Sequence, residues 1–200
     1  SHTDPTTLLS HPDKFILVSE WSKQKFESAV KVPCDIWEYP IEDLTPEKDK
    51  YKAELGFDPN FKHVINIGLF TPGKNQKEVF EVAEQLLDKP IKFHFIGNQA
   101  PNFETYWGPL MKEKPKNCII WGERNDVSKF LQAADLFYFS SVLELNPLVV
   151  KESLSYKLPI LMRKLPQYLD SYDNNNLVSY IDEDLTKNKN IILNKLGYDI

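Results

Sequence analysis

The segment Leu136-Phe-Tyr-Phe-Ser-Ser-Val-Leu-Glu-Leu-Asn-Pro-Leu-Val-Val-Lys-Glu152 decides how this chain is read. An unbroken apolar run leads into a polar loop, and the loop opens a helix that closes at Leu158-Pro159. A strand that turns into a helix this way offers free backbone N–H groups and a positive dipole end, a site suited to phosphate or another anion. Glu144 stands in the turn and Glu152 follows two helical turns later. Carboxylates so placed would suit neutral hydroxyls flanking that phosphate. A sugar nucleotide carries this combination, a diphosphate between two polyols.

Outward from that segment the same alternation repeats. His63-Val-Ile-Asn-Ile-Gly68, Ile91-Lys-Phe-His-Phe-Ile96, Cys118-Ile-Ile-Trp121, Leu136 to Phe139 and Pro159-Ile-Leu-Met162 read as five strands. Helices are expected over Gln76 to Leu87, Asn102 to Lys112, Val127 to Ala134 and Leu148 to Tyr156. The strands are continuous apolar runs, which marks a parallel sheet covered on both faces. The fold class is therefore α/β, a Rossmann-like doubly wound parallel sheet, with ligands expected at the carboxyl ends of the strands. No GxGxxG run supports a dinucleotide. His63 and His94, in or beside strands, read as structural groups.

Upstream the pattern is looser. Ser1 to Asp13 reads as extended, Phe15-Ile-Leu-Val-Ser19 as a short strand, and Glu20 to Val30 as a helix with Trp21, Phe26 and Ala29 inward. Pro33 to Trp37 is a candidate strand, Pro40 to Pro46 a linker, and Lys48 to Leu55 a short helix stopped by Gly56. Two hundred residues suffice for one core that buries roughly 70% of the unfolded surface. With 29 acidic and 24 basic residues, the net charge of −5 argues against nucleic-acid binding. Cys34 and Cys118 make no metal site, and Cys118 reads as a buried free thiol in a reducing compartment. No run approaches the about 20 apolar residues of a membrane span, and the first residues do not resemble a signal peptide. A cytoplasmic location is expected, and peripheral membrane association is compatible with the sequence.

Four blocks, in order, resemble the C-terminal donor-binding domain of retaining GT-B glycosyltransferases, the group 1 family that includes glycogen synthases and bacterial mannosyltransferases. They are Asn66-Ile-Gly-Leu-Phe-Thr-Pro-Gly-Lys74, Phe93-His-Phe-Ile-Gly97, Trp121-Gly-Glu-Arg-Asn-Asp126 with Ala133-Ala-Asp-Leu-Phe137, and Glu144 to Glu152 as the family's Glu-x7-Glu motif. The resemblance covers roughly residues 62 to 165 well. It extends more loosely to Phe15-Ile-Leu-Val-Ser-Glu-Trp21, similar to the segment that leads into the family's interdomain crossover.

The resemblance implies roles for particular residues. Lys74 would grip the donor diphosphate and Glu144 would face the transferred sugar; these two are the catalytic candidates. Glu152 would hold the ribose. Gly68, Gly97, Gly122, Arg124 and Asn146 would line the donor site, and the amides of Leu148 and Val149 would complete the phosphate cradle. Two departures stand out. Leu69 occupies the place of an Arg, so a diphosphate would lose one cation unless Arg124 or Lys77 compensates. Pro147 occupies the place of a Gly and has no N–H for the sugar, although proline suits a helix N1 position.

The implied activity is transfer of a sugar from a nucleoside-diphosphate sugar to a glycan, lipid or protein acceptor, with retention, in the context of polysaccharide biosynthesis. No cofactor or metal is expected, since Asp182-Glu-Asp184 is the nearest approach to an Asp-x-Asp run and lies outside the site loops. The expected organisation is 1–46 as the end of an acceptor domain and its interdomain linker, and 47–200 as the donor-binding domain. A complete enzyme needs a further N-terminal domain, so the chain reads as a fragment. Two alternatives remain open: a non-catalytic nucleotide-sugar-binding module that partners a separate acceptor subunit, and a GT-B-like sugar-nucleotide epimerase.

Overall fold

A computed structural model describes residues 13–30 and 32–199. The expected extended stretch Ser1 to Asp13 lies, except for Asp13, outside the described residues.

The chain opens with strand β1 (Phe15–Leu17), helix α1 (Glu20–Val30) and strand β2 (Cys34–Ile36), and β1 and β2 pair in parallel as a two-stranded sheet. Phe15 meets Phe26 edge to face at 4.7 Å, which seats α1 on this unit. Trp21 and Phe26 are half-buried as the helical stripe predicts, but Ala29 is exposed. One face of α1 covers only two short strands, so there is no surface for a third inward position. Helix α2 (Lys48–Glu54) follows the irregular crossover 37–47.

The rest is one six-stranded sheet. Its strands are β3 (Lys62–Ile67), β4 (Ile91–Ile96), β5 (Cys118–Gly122), β6 (Leu136–Phe139), β7 (Ile160–Met162) and β8 (Val178–Tyr180). They lie in the order β5-β4-β3-β6-β7-β8, and every pairing is parallel. The five expected strands are all present and adjacent. β8 adds a sixth at the edge that the sequence reading missed.

Helices α3 (Gln76–Glu84), α4 (Glu104–Lys112) and α8 (Leu185–Lys195) lie on one side, and α5 (Val127–Ala133), α6 (Leu148–Ser155) and α7 (Leu169–Tyr172) belong to the other. Alternation along each strand divides the core. Leu136, Tyr138 and Leu161 face α3 and α8, whereas Phe137, Phe139, Ile160 and Met162 face α5 and α6. With both faces covered, side chains of either parity are buried, which is why the strands read as unbroken apolar runs.

Two polar devices fix the lower edge and the first loop. Asp135, just before β6, accepts from the His63 amide at 2.8 Å and pairs with Lys48 at 2.8 Å and Lys52 at 3.2 Å. Burial pushes this carboxyl upward, and the hydrogen bonds from Lys48 and His63 outweigh it, so its pKa lies below the usual range. Between β3, β4 and β5, Trp121 Nε1 donates to His94 Nδ1 at 3.0 Å. That fixes His94 to donate from Nε2 to His63 Nδ1 at 2.9 Å, and His63 in turn to donate to the Asp58 carbonyl at 2.9 Å. Phe57 stacks on both imidazoles, at 4.3 and 4.2 Å. Both histidines are therefore structural, and burial lowers the His94 pKa to about 3. Cys118 is buried with its thiol pushed up to about 12 by desolvation. Among the described residues no helix is long and apolar enough to cross a membrane.

Candidate functional site

The strand order reverses between β3 and β6: β3 leads outward to β4, and the chain returns through α5 to lay β6 on the other side of β3. Loops leaving adjacent strands in opposite directions open a crevice at their carboxyl ends. Lys74 lies in the loop after β3 and Glu144 in the loop after β6, so the two residues singled out as catalytic candidates flank that reversal. Lys74 Nζ and a Glu144 carboxylate oxygen form an ion pair across it. The carboxylate is mostly buried and the lysine about one-third exposed, and the ammonium also lies 5.8 Å from the Phe139 ring centre.

Backbone geometry holds the lysine in place. Asn66, on β3, donates to the Tyr138 carbonyl at 2.8 Å and to Ser140 Oγ at 3.2 Å. Ser140 Oγ donates onward to the Lys74 carbonyl at 2.7 Å, and the Val142 amide donates to the Gly73 carbonyl at 2.9 Å. The two loops are thus fastened to each other across the crevice. Asn75 then turns through a left-handed conformation, φ 51°, to start α3, and its side chain donates to Glu78 at 3.0 Å. Asparagine tolerates that conformation better than most residues.

Three glycines stand at the carboxyl ends of β3, β4 and β5. Gly68 and Gly97 follow β3 and β4 at φ 152° and 155°, and Gly122 ends β5. The Gly68 amide donates to the Ile96 carbonyl at 2.9 Å, and the Gly97 amide to the Gly122 carbonyl at 2.8 Å. A Cβ on Gly97 would lie 2.0 Å from the Gly68 carbonyl oxygen, and one on Gly68 would meet the Lys74 side chain at 3.1 Å. These glycines therefore permit close backbone packing and let the lysine stem lie flat on the loop.

Helix α6 begins beside Glu144. Pro147 sits one residue earlier than expected, at the N-cap and in an extended conformation, with Leu148 as the first helical residue. The amides of Leu148 and Val149 belong to the helix's first turn, where no carbonyl of an earlier turn is available to them. Glu152, one turn on, is exposed, and with Asn125, Val127 and Tyr156 it lines a cleft of about 350 Å³ between α5 and α6.

Other expected site residues are engaged elsewhere. Arg124 forms a two-point pair with Asp126, at 2.9 and 2.8 Å, and lies over the Trp121 and Phe130 rings. Lys77 pairs with Glu81 on the exposed side of α3. Each of the two cations expected to compensate for Leu69 is thus already paired with a carboxylate. Asn146 donates to the Val18 carbonyl at 2.7 Å, so it ties the Glu144 loop to the β1–α1 segment. Asp182 and Asp184 serve the start of α8: Asp184 caps Thr186, and Asp182 accepts from the Asp184 amide and from Lys187.

Two features escaped the sequence reading. Arg163, after β7, pairs with Glu78, which also accepts from the Tyr138 hydroxyl at 3.0 Å. Burial raises the Glu78 pKa against the pull of Arg163. Lys151, adjacent to Glu152, is buried and donates to the Tyr39 carbonyl at 3.0 Å and to Glu38 at 3.2 Å. A lysine among apolar helix residues was the available signal for it.

Comparison with known proteins gives a consistent picture. The family model for glycosyl transferases group 1 matches residues 47–184. The processive diacylglycerol alpha-glucosyltransferase of Acholeplasma laidlawii is 30% identical over 79% of this chain and 50% of its own length. The alpha-galactosylglucosyldiacylglycerol synthase of Streptococcus pneumoniae is 28% identical over 60% of this chain and 33% of its own length. This chain thus spans half or less of the curated relatives it matches. Among solved structures, Anabaena HepE in complex with UDP superposes with a TM-score of 0.79 at 16% identity, covering 92% of this chain and 54% of that one. At that identity the likeness concerns the fold alone.

Proposed function

The chain belongs to the glycosyl transferases group 1 family, and from that premise we propose that the crevice between β3 and β6 binds a nucleoside-diphosphate sugar for glycosyl transfer. The observation that carries this reading is the Lys74–Glu144 pair at the strand-order reversal, beside the first turn of α6. A cation and a carboxylate meet there, α6 with its free first-turn amides starts four residues after Glu144, and Gly68 lets the Lys74 stem lie against the loop.

In this reading residues 47–200 form the donor-binding domain, and 1–46 are the end of an acceptor domain and its crossover. The diphosphate lies between Lys74 and the amides of Leu148 and Val149. An ammonium has three donors, so Lys74 serves the phosphate while still holding Glu144. As the glycosidic bond breaks, negative charge builds on the leaving diphosphate, and these fixed donors stabilise it in place of a metal ion. Glu144 meets hydroxyls of the transferred sugar, and Glu152 accepts from the ribose. Transfer proceeds with retention at the anomeric carbon.

The name of the Acholeplasma relative supports a glucosyl donor, and both curated names support a diacylglycerol-based lipid acceptor, bound with a further domain. Such an acceptor places the enzyme at the cytoplasmic face of a membrane as a peripheral protein. Pro147, lacking an N–H, removes one sugar contact, so side chains carry more of the sugar recognition here.

Titration of UDP, UDP-glucose and inorganic pyrophosphate into parent, Glu152→Gln and Glu144→Gln tests the assignment. Glu152→Gln should weaken UDP by about 1–2 kcal/mol and leave pyrophosphate unchanged. Glu144→Gln should spare UDP and weaken the sugar nucleotide. Parent-like binding of every ligand by both variants would leave Glu152 as a solvated helix residue and Glu144 as no more than the structural partner of Lys74.

A further inference from the structure

The crossover between β2 and α2 has no strand or helix of its own over residues 37–47, yet α6 holds it at several points. The buried Lys151 ammonium takes the Tyr39 carbonyl and the Glu38 carboxylate. One turn later, Ser155 Oγ accepts from the Glu42 amide at 2.8 Å, and the Ser155 carbonyl accepts from the Leu44 amide at 3.0 Å. On the α5 side, Gln132 accepts from the Glu47 amide at 3.1 Å. Lys151 and Ser155 are four residues apart and so share a face of the helix. Glu152 is the next residue round from Lys151. The helix that carries the proposed ribose carboxylate therefore also pins the crossover.

The consequence is a wall. Tyr39, Pro40, Glu42 and Leu44 line the same cleft as Glu152 and Asn125. Tyr39 is 46% exposed, and with the proline ring it offers apolar surface in the cleft that Glu152 lines. Aromatic faces of this kind hold nucleobases by stacking, largely without regard to base identity. We propose that residues 39–44 are a nucleoside-binding element of the donor site, in which the base packs against Tyr39 and Pro40. Lys151 is the positioning residue that holds the wall against α6. This rests on the donor-site reading above, and it assigns part of that site to the crossover, outside the segment that the family model matches.

Lys151 itself is given no phosphate role: it is buried, and two of its three donors are taken by the crossover. Replacing it with methionine keeps the volume and removes the two bonds, while the half-exposed Glu38 returns to water. The wall is then free to leave α6, and only ligands with a nucleoside are affected.

The experiment measures dissociation constants of UDP and inorganic pyrophosphate by calorimetry for the parent, Tyr39→Ala, Lys151→Met and Glu152→Gln, with thermal melts alongside. Tyr39→Ala should weaken UDP about 10-fold, within the range for loss of one base–aromatic stack. Lys151→Met should weaken UDP by a similar factor, and both variants should bind pyrophosphate within about twofold of the parent, a selectivity that general loosening of the fold would not produce. Tyr39 is exposed, so its variant decides the matter even if Lys151→Met folds poorly. Parent-like UDP binding by Tyr39→Ala, with Glu152→Gln weakened, overturns this inference and leaves the donor site standing. Parent-like UDP binding by Glu152→Gln as well removes the donor-site reading and this inference with it.

Discussion

The six-stranded sheet and the β1–α1–β2 unit are built on the same parallel strand–helix–strand plan, yet they are finished differently. In the sheet, the central strands are buried on both faces, with Ile65, Phe93, Phe137 and Ile160 nearly inaccessible. At the two-stranded unit, Ile16 is 70% exposed, and Trp37, just past β2 and bonded to the Leu17 carbonyl, is 68% exposed. The sheet has a helix layer on each side, whereas among the described residues one helix, α1, covers β1 and β2. A sheet closed by two layers can hold a site rigidly, whereas a two-stranded ribbon under one helix buries little. This contrast fits the proposal that 1–46 belong to the end of another domain, and in that proposal the rigid part of the site is at β3 and β6.

The contrast breaks most visibly at Gly97. A Cβ there would lie 2.0 Å from the Gly68 carbonyl oxygen, in a backbone conformation closed to other residues. Gly97→Ala should therefore destabilise the sheet by about 3–5 kcal/mol in urea unfolding. A loss below about 1 kcal/mol would mean that the loops after β3 and β4 are not locked as described.

Acid is the next lever. The His94 pKa is about 3 in the folded protein because burial disfavours its charged form, against about 6.5 in an unfolded chain. The unfolded state then binds the extra proton first as pH falls. The stabilisation is complete above pH ~6.5 and declines steadily toward pH ~3. Moving from pH 7.5 to 5 should remove about 2 kcal/mol through this residue alone, and His94→Gln should abolish that part of the slope. The smallest effect belongs to the other region: Trp37→Ser should change unfolding free energy by ~0.5 kcal/mol or less, as expected of an exposed side chain. A larger loss would show that β1–β2 is closed after all.

Legibility in the sequence followed the same division. Strands buried on both faces are continuous apolar runs, and β3 to β7 could be read from them within a residue or two. β8 was missed because Val178-Ser-Tyr180 is three residues long at a half-covered edge. α8 was missed because Ile192, Leu193 and Leu196 follow a run dominated by Lys and Asn. In the site, Lys74, Glu144 and Glu152 came from motif spacing, and the structure brings the first two together. Arg124 and Asn146 shared those motifs, but their partners, Asp126 and the Val18 carbonyl, are set by loop geometry. The hold of Lys151 on Tyr39 joins residues 112 positions apart. No local pattern encodes such a contact.

The central claim is that the crevice at the β3–β6 reversal is a nucleoside-diphosphate site centred on Lys74. Its most direct test is the UDP dissociation constant of the parent against that of Lys74→Ala, measured by calorimetry at fixed ionic strength. The account predicts a loss of about 1.5–3 kcal/mol, the range for one charge-assisted hydrogen bond. An unchanged constant, with the variant fully folded, would contradict it.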